Sequence, residues 1–365
     1  MMNFNRFYDK TDLWSYLQKT NKTIVMYGMG NGADKILDVC AERGIEVADF
    51  FASDEFVRGH SFHSKRVLSF SEAKEKYGSE NMIVLLSFAS SLPSVLDTIR
   101  AVASECELYA PDVPVCEGRI FDLEFAREHA EEIREAYGLF ADEESKKIFE
   151  KVIFYKLTGN IEFLFEAESD KNDTMLSLLD AKSIRSYADL GAYNGDTLRE
   201  LSEYSDVLCE AVAFEPSPKT FKKLKAYADE ESRFRIEAVN AAAWSEDTTL
   251  SFGDEGNRNS GLFARGKQTE VEARTLDGVL DGREVDYIKY DVEGCEREAL
   301  AGSEKTISEH YPRLLVSAYH LSEDVFELPL LIHEKFPEYK LYYRRYPYVP
   351  AWDLNLICIK NKGDK

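Results

Sequence analysis

The C-terminal half of the chain alternates apolar strand-like segments with amphipathic helical ones, and this alternation limits the folds open to it. Helical segments lie between the early strands, which is the pattern of parallel strands covered by helices. The last two strands are separated only by a turn that contains Pro347 and Pro350. We therefore predict an α/β fold whose run of strand–helix repeats is closed by an antiparallel pair. The seven strand-like segments are SYADLGA, EAVAFEPS, RIEAVNAAA, VDYIKYDVEG, PRLLVSAYH, YKLYYRRY and DLNLICIK.

The first 120 residues predict a second α/β unit. An apolar strand at 23–27 leads through a glycine turn into an amphipathic helix, and a second strand follows at 47–52. A third strand at 82–88 is almost wholly apolar, as expected for a strand covered on both faces. This order of elements predicts another parallel sheet.

Between the two units, residues 121–166 contain no proline and carry an apolar stripe with helical spacing. We predict helices broken near Ala141–Asp142. Because an apolar stripe needs cover, these helices should pack on one or both sheets rather than form a solvated spacer. The predicted domains are an N-terminal α/β domain at 1–120, a helical connector at 121–175 and a C-terminal α/β domain at 176–365.

Charge and length narrow the possible partners and setting. The chain has 365 residues, with 45 Lys plus Arg against 67 Asp plus Glu, so its net charge is −22. A surface this acidic repels phosphate backbones, which argues against nucleic acid as a partner. No apolar run approaches the ~20 residues of a membrane helix, and no signal peptide is visible. None of the six cysteines forms a CxxC pair, and a reducing, cytoplasmic setting is predicted.

The segment YADLGAYNGDTL (187–198) predicts a ligand-binding turn. A strand ends at Asp189, Gly191 allows a sharp turn, and Gly195 and Asp196 open a helix. A bulky ligand that lies across the carboxyl ends of parallel strands needs this close backbone approach. The alternative is a plain strand-to-helix turn that needs glycine. The candidate cofactor-binding residues here are Asp189, Gly191, Tyr193, Gly195 and Asp196.

The next two strands end in residues suited to a nucleoside. Glu215 and Pro216 follow the second strand, and an acid at this position can accept both hydroxyls of a ribose. Asn240 and Ala241 follow the third strand, where a small residue beside a polar one suits a flat adenine ring. A solvated glutamate is the alternative for Glu215, and loops after strands carry Asn and Ala for many reasons.

Two later strands carry the candidate catalytic residues. Asp291 and Glu293 follow the fourth strand and could accept a proton, hold a substrate, contact the cofactor or bind a hard cation such as magnesium. One of them could instead cap the following helix. His320 ends the fifth strand and is a candidate general base, with a structural, hydrogen-bonded histidine as the alternative.

These motifs resemble the FkbM family of S-adenosylmethionine-dependent methyltransferases from about residue 186 to 360. The resemblance rests on DLGAYNGD, FEPSP, VEARTLDGVL, VDYIKYDVEG and PRLLVSAYH in this order. It implies a class I methyltransferase fold with a seven-stranded sheet, S-adenosyl-L-methionine as cofactor, and transfer to a hydroxyl of a sugar, glycan or natural product. The position of Cys295 is usually occupied by alanine in this family. No residue pattern indicates a resident metal, although a divalent ion stays possible.

The N-terminal unit resembles the Rossmann-like modules found beside sugar-modifying enzymes. Gly28, Gly30 and Ala33 form G-x-G-x-x-A after a strand, and Asp49 or Asp54 lies about 20 residues further on. This unit could bind a nucleotide or nucleotide-sugar, or serve as a structural or dimerising module, which leaves a homodimer open. The alternative functions are thus a nucleotide-dependent oxidoreductase or sugar-modifying enzyme, and a non-catalytic binding scaffold.

Overall fold

The computed structural model describes residues 11–54, 59–116, 118–254 and 267–360. The strands in chain order are β1 Thr23–Tyr27, β2 Asp49–Ala52, β3 Ser61–Phe62, β4 Lys65–Arg66, β5 Leu68–Ser69, β6 Met82–Leu86, β7 Glu107–Tyr109, β8 Ser186–Leu190, β9 Glu210–Phe214, β10 Arg235–Val239, β11 Ala242–Ala243, β12 Thr248–Asp254, β13 Lys267–Arg274, β14 Tyr287–Tyr290, β15 Arg313–Ser317, β16 Lys340–Arg345 and β17 Leu354–Ile359.

The α-helices are α1 Leu13–Leu17, α2 Asn31–Glu42, α3 Phe70–Tyr77, α4 Pro93–Glu105, α5 Leu123–Glu128, α6 Ala130–Leu139, α7 Glu143–Thr158, α8 Glu162–Phe165, α9 Lys171–Asp173, α10 Asp196–Tyr204, α11 Pro218–Glu230, α12 Leu276–Leu280, α13 Glu296–Ala301, α14 Glu304–His310 and α15 Asp324–Lys335. Short 3₁₀ turns lie at Ser79–Asn81 and Ala181–Ser183, and a π-helical turn lies at Thr174–Leu178. Within the described ranges, no helix is both long and apolar enough to span a bilayer.

The N-terminal strands form the predicted parallel sheet. Its five strands run in the order β5-β2-β1-β6-β7, and every pair is parallel. All five residues of β6 are buried, as its apolar sequence predicts. Helix α4 begins at Pro93, and buried Leu96, Ile99 and Val102 form its inner face. The prediction of an α/β unit here is confirmed.

The connector is helical and packed. Helices α6 and α7 are separated at the predicted break. There the Asp142 carboxylate caps α7 by accepting a hydrogen bond from the Ser145 amide at 2.7 Å. Phe140 forms a bridge to Leu341 of β16, and its ring lies 4.8 Å from that of Tyr343. The buried side chains of α5 to α8 belong to one core cluster with residues of both large sheets. The apolar stripe is therefore covered, as predicted.

The second large sheet has seven strands in the order β10-β9-β8-β14-β15-β17-β16. The first five are parallel, and β17 pairs antiparallel with both β15 and β16. The carboxyl ends of β8, β9, β14 and β15 consequently meet at one edge, which is where ligands bind in parallel sheets. The predicted seven-stranded α/β architecture is confirmed.

A small three-stranded sheet with the order β11-β13-β12 joins the third and fourth strands of the large sheet. Only the end of β13 was expected, as the VEAR segment. Strands β12 and β13 pair antiparallel, with Leu250 opposite Val271. Thr248 and Thr249 of β12 and Glu270 and Glu272 of β13 are exposed polar residues, and the hydrophobic periodicity of these strands is weak, so the sequence pattern did not reveal this sheet.

Candidate active site

The turn after β8 lies tightly against its neighbours. The Gly191 and Ala192 amides both donate to the carbonyl oxygen of Phe214, at 3.2 and 2.8 Å. Gly191 has φ +100°, and a Cβ atom there would lie 1.9 Å from the carbonyl oxygen of Asp291. Only glycine fits this conformation and this space. At Gly191 the turn after β8 packs directly against the loop after β14. Two of the predicted site segments are therefore in contact.

The two carboxylates of this turn have different surroundings. Asp189 is fully buried, accepts a hydrogen bond from the Thr197 hydroxyl, and lies 3.7 Å from Lys289 Nζ. Burial raises the pKa of Asp189, against the attraction of Lys289. The contact of Asp189 with the cofactor stays a prediction, and no part of the residue is exposed in this structure. Asp196, the first residue of α10, is exposed and lines the cleft described below.

Glu215 links two loops. Its carboxylate accepts hydrogen bonds from the backbone amides of Ser217, at 2.8 Å, and Tyr193. Only 7% of the residue is exposed. Burial raises the pKa of Glu215 to about 7, although the two amides favour the charged form. The acid predicted for the ribose thus lies against the turn predicted for the rest of the cofactor, and Gly195 of that turn packs on Tyr227.

Asn240 and Ala241, the residues predicted to contact adenine, lie beside the loop of Glu215 and in the core. Asn240 Nδ2 donates to the carbonyl oxygens of Glu215, at 2.8 Å, and Pro216, at 3.2 Å. Asn240 therefore braces the loop that carries Glu215. Ala241 is fully buried in the core. Its contact with adenine stays a prediction, and the burial of its methyl group argues against it.

The Asp291 carboxylate has three polar partners in the cleft. It lies 3.0 Å from Lys289 Nζ, and it accepts hydrogen bonds from the Ser317 hydroxyl at 3.0 Å and the Tyr319 hydroxyl at 3.1 Å. Burial alone would raise its pKa, but Lys289 and His320 outweigh burial and lower the pKa of Asp291 to about 2. The Asp291 side chain is therefore a permanent anion at the carboxyl end of β14.

Glu293 lies two residues further and also lines the cleft. Burial raises the pKa of Glu293 to about 7, with Asp291 acting in the same direction and His320 against it. The predicted alternative of a helix cap is wrong for both acids, because α13 is capped at Cys295 without a side-chain hydrogen bond. Glu293 is thus an acid close to neutrality that faces the cleft.

His320 lies behind these two acids. Its Nε2 is 3.6 Å from both Asp291 Oδ1 and Glu293 Oε2, and its Nδ1 is 2.9 Å from Glu296 Oε1. Burial opposes a charge on the ring, but Glu296 and the other two carboxylates raise the pKa of His320 to about 10. The ring is charged at neutral pH, and only 1% of its side chain is exposed. Both features argue against His320 as general base, and this role stays a prediction.

Lys289 was not predicted. It lies on β14 directly opposite Asp189 of β8, and its ammonium group joins Asp189 and Asp291. Burial opposes its charge, but these two carboxylates raise its pKa above the ordinary value. The signal was present in the sequence, because a lysine inside the apolar run VDYIKY, two residues before Asp291, must share that residue's face of the strand.

Asp196, Lys289, Asp291 and Glu293 line a cleft of about 700 Å³ at the carboxyl edge of the seven-stranded sheet. The described lining does not include Asp189, Glu215 or His320. Its walls also include an aromatic pair, Tyr348 and Trp352, whose ring centroids are 5.7 Å apart. The N-terminal half contributes Ser91 and Val115 to the lining. The sequence pattern did not place these last two residues near the other site residues.

Backbone contacts fix the N-terminal half at this cleft. The amides of Val115 and Cys116 donate to the carbonyl oxygen of His320 at 3.1 and 3.3 Å, and the Cys116 thiol donates to that of Glu293 at 3.0 Å. One wall of the cleft is therefore tied directly to the loops that carry the acids.

The glycine motif of the N-terminal unit serves packing. Gly28 has φ +116°, and a Cβ atom there would lie 2.7 Å from the side chains of both Ser87 and Phe88. Asp49 begins β2, at the wrong end of the strand for a ribose, and pairs with Lys76. Asp54 accepts from the Phe70 amide at 3.0 Å. The residues predicted to bind a nucleotide are thus used within the unit.

All six cysteines are free thiols, and within the described residues no cluster of three or more His, Cys, Asp or Glu side chains has the arrangement of a metal site.

One solved structure shares this architecture over nearly the whole chain. The chain is similar to the methyltransferase FkbM from Methylobacillus flagellatus KT, with a TM-score of 0.67 and 20% identity over 93% of this chain and 90% of that chain. An rRNA methylase from Streptococcus thermophilus has a TM-score of 0.35 and 12% identity over 53% of this chain and 98% of that chain. Fibrillarin from Aeropyrum pernix, solved with natively bound S-adenosyl-L-methionine, has a TM-score of 0.31 and 11% identity over 49% of this chain and 68% of that chain.

No curated protein matches the chain by sequence. A family model described as the methyltransferase FkbM domain matches residues 189–349, which include every candidate residue from Asp189 to His320. Residues 189–349 are thus similar to the methyltransferase FkbM domain, and the chain shares the fold of the FkbM methyltransferase from Methylobacillus flagellatus KT.

Proposed function

We propose that the protein is an S-adenosylmethionine-dependent methyltransferase that methylates a hydroxyl group of a sugar, glycan or natural product. One observation carries the proposal. Glu215 is hydrogen-bonded to the amide of Tyr193 in the turn after β8, and that turn is in contact with the loop of Asp291. A ribose-binding acid, a close-approach turn and the candidate catalytic acids are therefore neighbours at one edge of the sheet.

The residues present fit the cofactor. Six carboxylates line the cleft, against three cationic side chains, which suits a ligand with a sulfonium and an ammonium group. We assign Glu215 to the ribose hydroxyls, and Asp196 is the exposed carboxylate of the turn. S-adenosyl-L-methionine would supply a methyl group activated by the sulfonium charge.

The protein's own part is alignment and proton transfer. Asp291, held as an anion by Lys289, accepts a hydrogen bond from the acceptor hydroxyl and orients it. Glu293 takes the hydroxyl proton, because a pKa of about 7 allows it to be ionised at neutral pH and still basic enough to help. His320 touches neither ligand and holds both acids in place from behind.

An oxygen acceptor is favoured by the chemistry of the cleft. A hydroxyl loses its proton far less readily than an ammonium group, so it benefits from a dedicated base such as Glu293. Tyr348 and Trp352 offer apolar faces, while Asp353 and Asn355 offer polar groups on the same wall. Apolar faces beside hydrogen-bonding groups suit a sugar ring, which has both kinds of surface.

Two experiments test the proposal. Titration calorimetry with S-adenosyl-L-methionine and with NAD should detect binding of the first only; binding of NAD alone would favour an oxidoreductase. Mass spectrometry of a cell extract incubated with the enzyme and methyl-labelled cofactor should find label on hydroxyl oxygens. Label on protein amines would contradict the oxygen assignment, and cofactor binding without any transfer would favour a non-catalytic scaffold.

A further inference from the structure

A second cleft, of about 640 Å³, lies on the N-terminal sheet. Its lining is aromatic and includes Tyr27, Phe51, Phe70 and Phe88. The Tyr27 and Phe51 rings are stacked 4.7 Å apart with 7° between their planes, and Phe88 meets Tyr27 edge-on at 4.9 Å. Tyr27 and Phe51 are buried beneath the cleft, and the partly exposed rings of Phe70 and Phe88 form the surface that a planar apolar group can cover.

Charge selects the kind of occupant. The two charged side chains among the described lining residues are Asp54 and Glu105, and the latter pairs with Lys74 at 2.6 Å. No lysine or arginine belongs to that described lining. A phosphate group would meet two carboxylates, and the cation beside them, Lys74, is already paired with Glu105, which is unfavourable for an anion. The cleft therefore suits an uncharged apolar group rather than a nucleotide.

The two clefts meet at one point of the backbone. Ser90 lines the second cleft, and the next residue, Ser91, lines the candidate active site. Consecutive Cα atoms are only about 3.8 Å apart, so a short strip of chain separates the two spaces. Ser90 is hydrogen-bonded in both directions to Val349, at 2.9 and 3.0 Å, next to Tyr348 of the active-site wall.

We infer that the second cleft holds the planar apolar part of the same acceptor molecule whose hydroxyl is methylated in the active site. The inference rests on the proposed function, and it narrows the acceptor to an amphipathic molecule with a neutral aromatic portion beside its hydroxyl-bearing portion. The second cleft binds and carries out no chemistry, so it adds acceptor affinity.

Filling the cleft from α4 tests the inference. Ala101 and Thr98 are exposed residues that line the cleft, so Ala101→Trp and Thr98→Trp should fill it, and Ser104→Trp on the same helix lies outside the lining and is the control. Fluorescence titration with the neutral probe N-phenyl-1-naphthylamine should show one saturable site in the wild type and the control. Affinity should fall at least tenfold in each filled variant, while circular dichroism and Tm stay unchanged.

Methyl transfer links the cleft to the acceptor. With labelled S-adenosyl-L-methionine and a metabolite extract of the source cells, both filled variants should lose at least tenfold in transfer with an unchanged Kd for the cofactor. The probe should inhibit the wild type. Wild-type transfer by the filled variants, or probe binding without inhibition, would overturn the inference. A wild type that fails to bind the cofactor in calorimetry would instead overturn the proposed function itself, and with it the identity of the occupant.

Discussion

Glu293 Oε2 lies 3.6 Å from His320 Nε2, and this pair joins an acid whose pKa is about 7 to an imidazolium whose pKa is about 10. Glu293 faces the cleft, whereas His320 is buried behind it. At neutral pH the histidine is therefore the charged partner and the glutamate is the group that titrates. This order of pKa values supports Glu293 as the proposed proton acceptor.

Replacing Glu293 tests that role. Methyl transfer by the wild type should rise with pH along a limb centred near 7, because Glu293 accepts a proton only when ionised. Glu293→Gln should lower kcat by about 10²- to 10⁴-fold and remove this limb. Glu298→Gln, on the next helix and outside the cleft lining, is the control. A Glu293→Gln enzyme that keeps the limb would show that another group is the base.

Removing the buried imidazolium should move the same limb. The charge of His320 lowers the pKa of both Glu293 and Asp291. His320→Gln should therefore shift the rising limb of kcat to higher pH, and kcat should partly recover in alkaline buffer. A steady pH profile of kcat from pH 5 to 9 measures the shift. Loss of activity at all pH values without a shift would indicate a purely structural role.

Glu215 should control cofactor affinity and its pH dependence. Ribose hydroxyls donate to a carboxylate, and a pKa of about 7 means that Glu215 ionises only as the pH rises through neutrality. The Kd for S-adenosyl-L-methionine should consequently fall by about tenfold from pH 6 to pH 8. Glu215→Ala should weaken binding by about 1–3 kcal/mol, the cost of unpaired buried polar groups.

The matched control for Glu215 is Glu210→Gln, at the opposite end of the same strand. Calorimetry of Glu215→Gln should show a weaker Kd that no longer varies with pH, and Glu210→Gln should match the wild type. An unchanged Kd in both Glu215 variants would remove this residue from the site.

Asp291→Asn should separate binding from turnover. The substitution removes the anion that Lys289, Ser317 and Tyr319 surround, but it leaves the turn at Gly191 in place. We expect kcat to fall by about 10²-fold, since misplacing a reacting group costs this much, while the Kd for the cofactor stays close to that of the wild type. Steady-state kinetics with calorimetry measures both. Equal losses would assign Asp291 to cofactor binding instead.

Gly191→Ala should destabilise the fold around the site. The new methyl group would lie 1.9 Å from the carbonyl oxygen of Asp291, at a φ of +100°. The loss in free energy of unfolding should exceed that of a left-handed conformation alone, which is about 1–2 kcal/mol, because the backbone must also move. Gly138→Ala is the control, since its Cβ meets nothing within 4 Å in helix α6 and alanine should stabilise a helix by about 0.5–1 kcal/mol. Urea unfolding measures both changes, and equal stabilities would contradict the tight contact.

The strands of both large sheets and most site segments could be predicted from the sequence because they follow from period and spacing. The connector break at Asp142 and the helix start at Pro93 follow from local capping chemistry. The burial and charge of individual site residues could not be predicted, for a different reason. Ala241 and Asp189 lie where the motif predicts, but their burial depends on distant segments. The charge of His320 depends on three carboxylates that only the folded chain brings together.

The contribution of the N-terminal half to the cleft could not be predicted from the local sequence pattern either. Ser91 and Val115 are unremarkable in sequence, and only the packing of the whole chain brings them to the acids of β14. Lys289 is different, because a lysine in an apolar strand is a visible anomaly that indicates a buried ion pair.

A crystal structure with S-adenosyl-L-methionine tests the central claim most directly. The account predicts the ribose hydroxyls at the Glu215 carboxylate, the amino acid portion along the turn from Gly191 to Asp196, and the methyl group directed toward Asp291 and Glu293. Cofactor bound at the Gly28 turn of the N-terminal unit, or a cleft at Glu215 that stays filled by protein side chains, would contradict it.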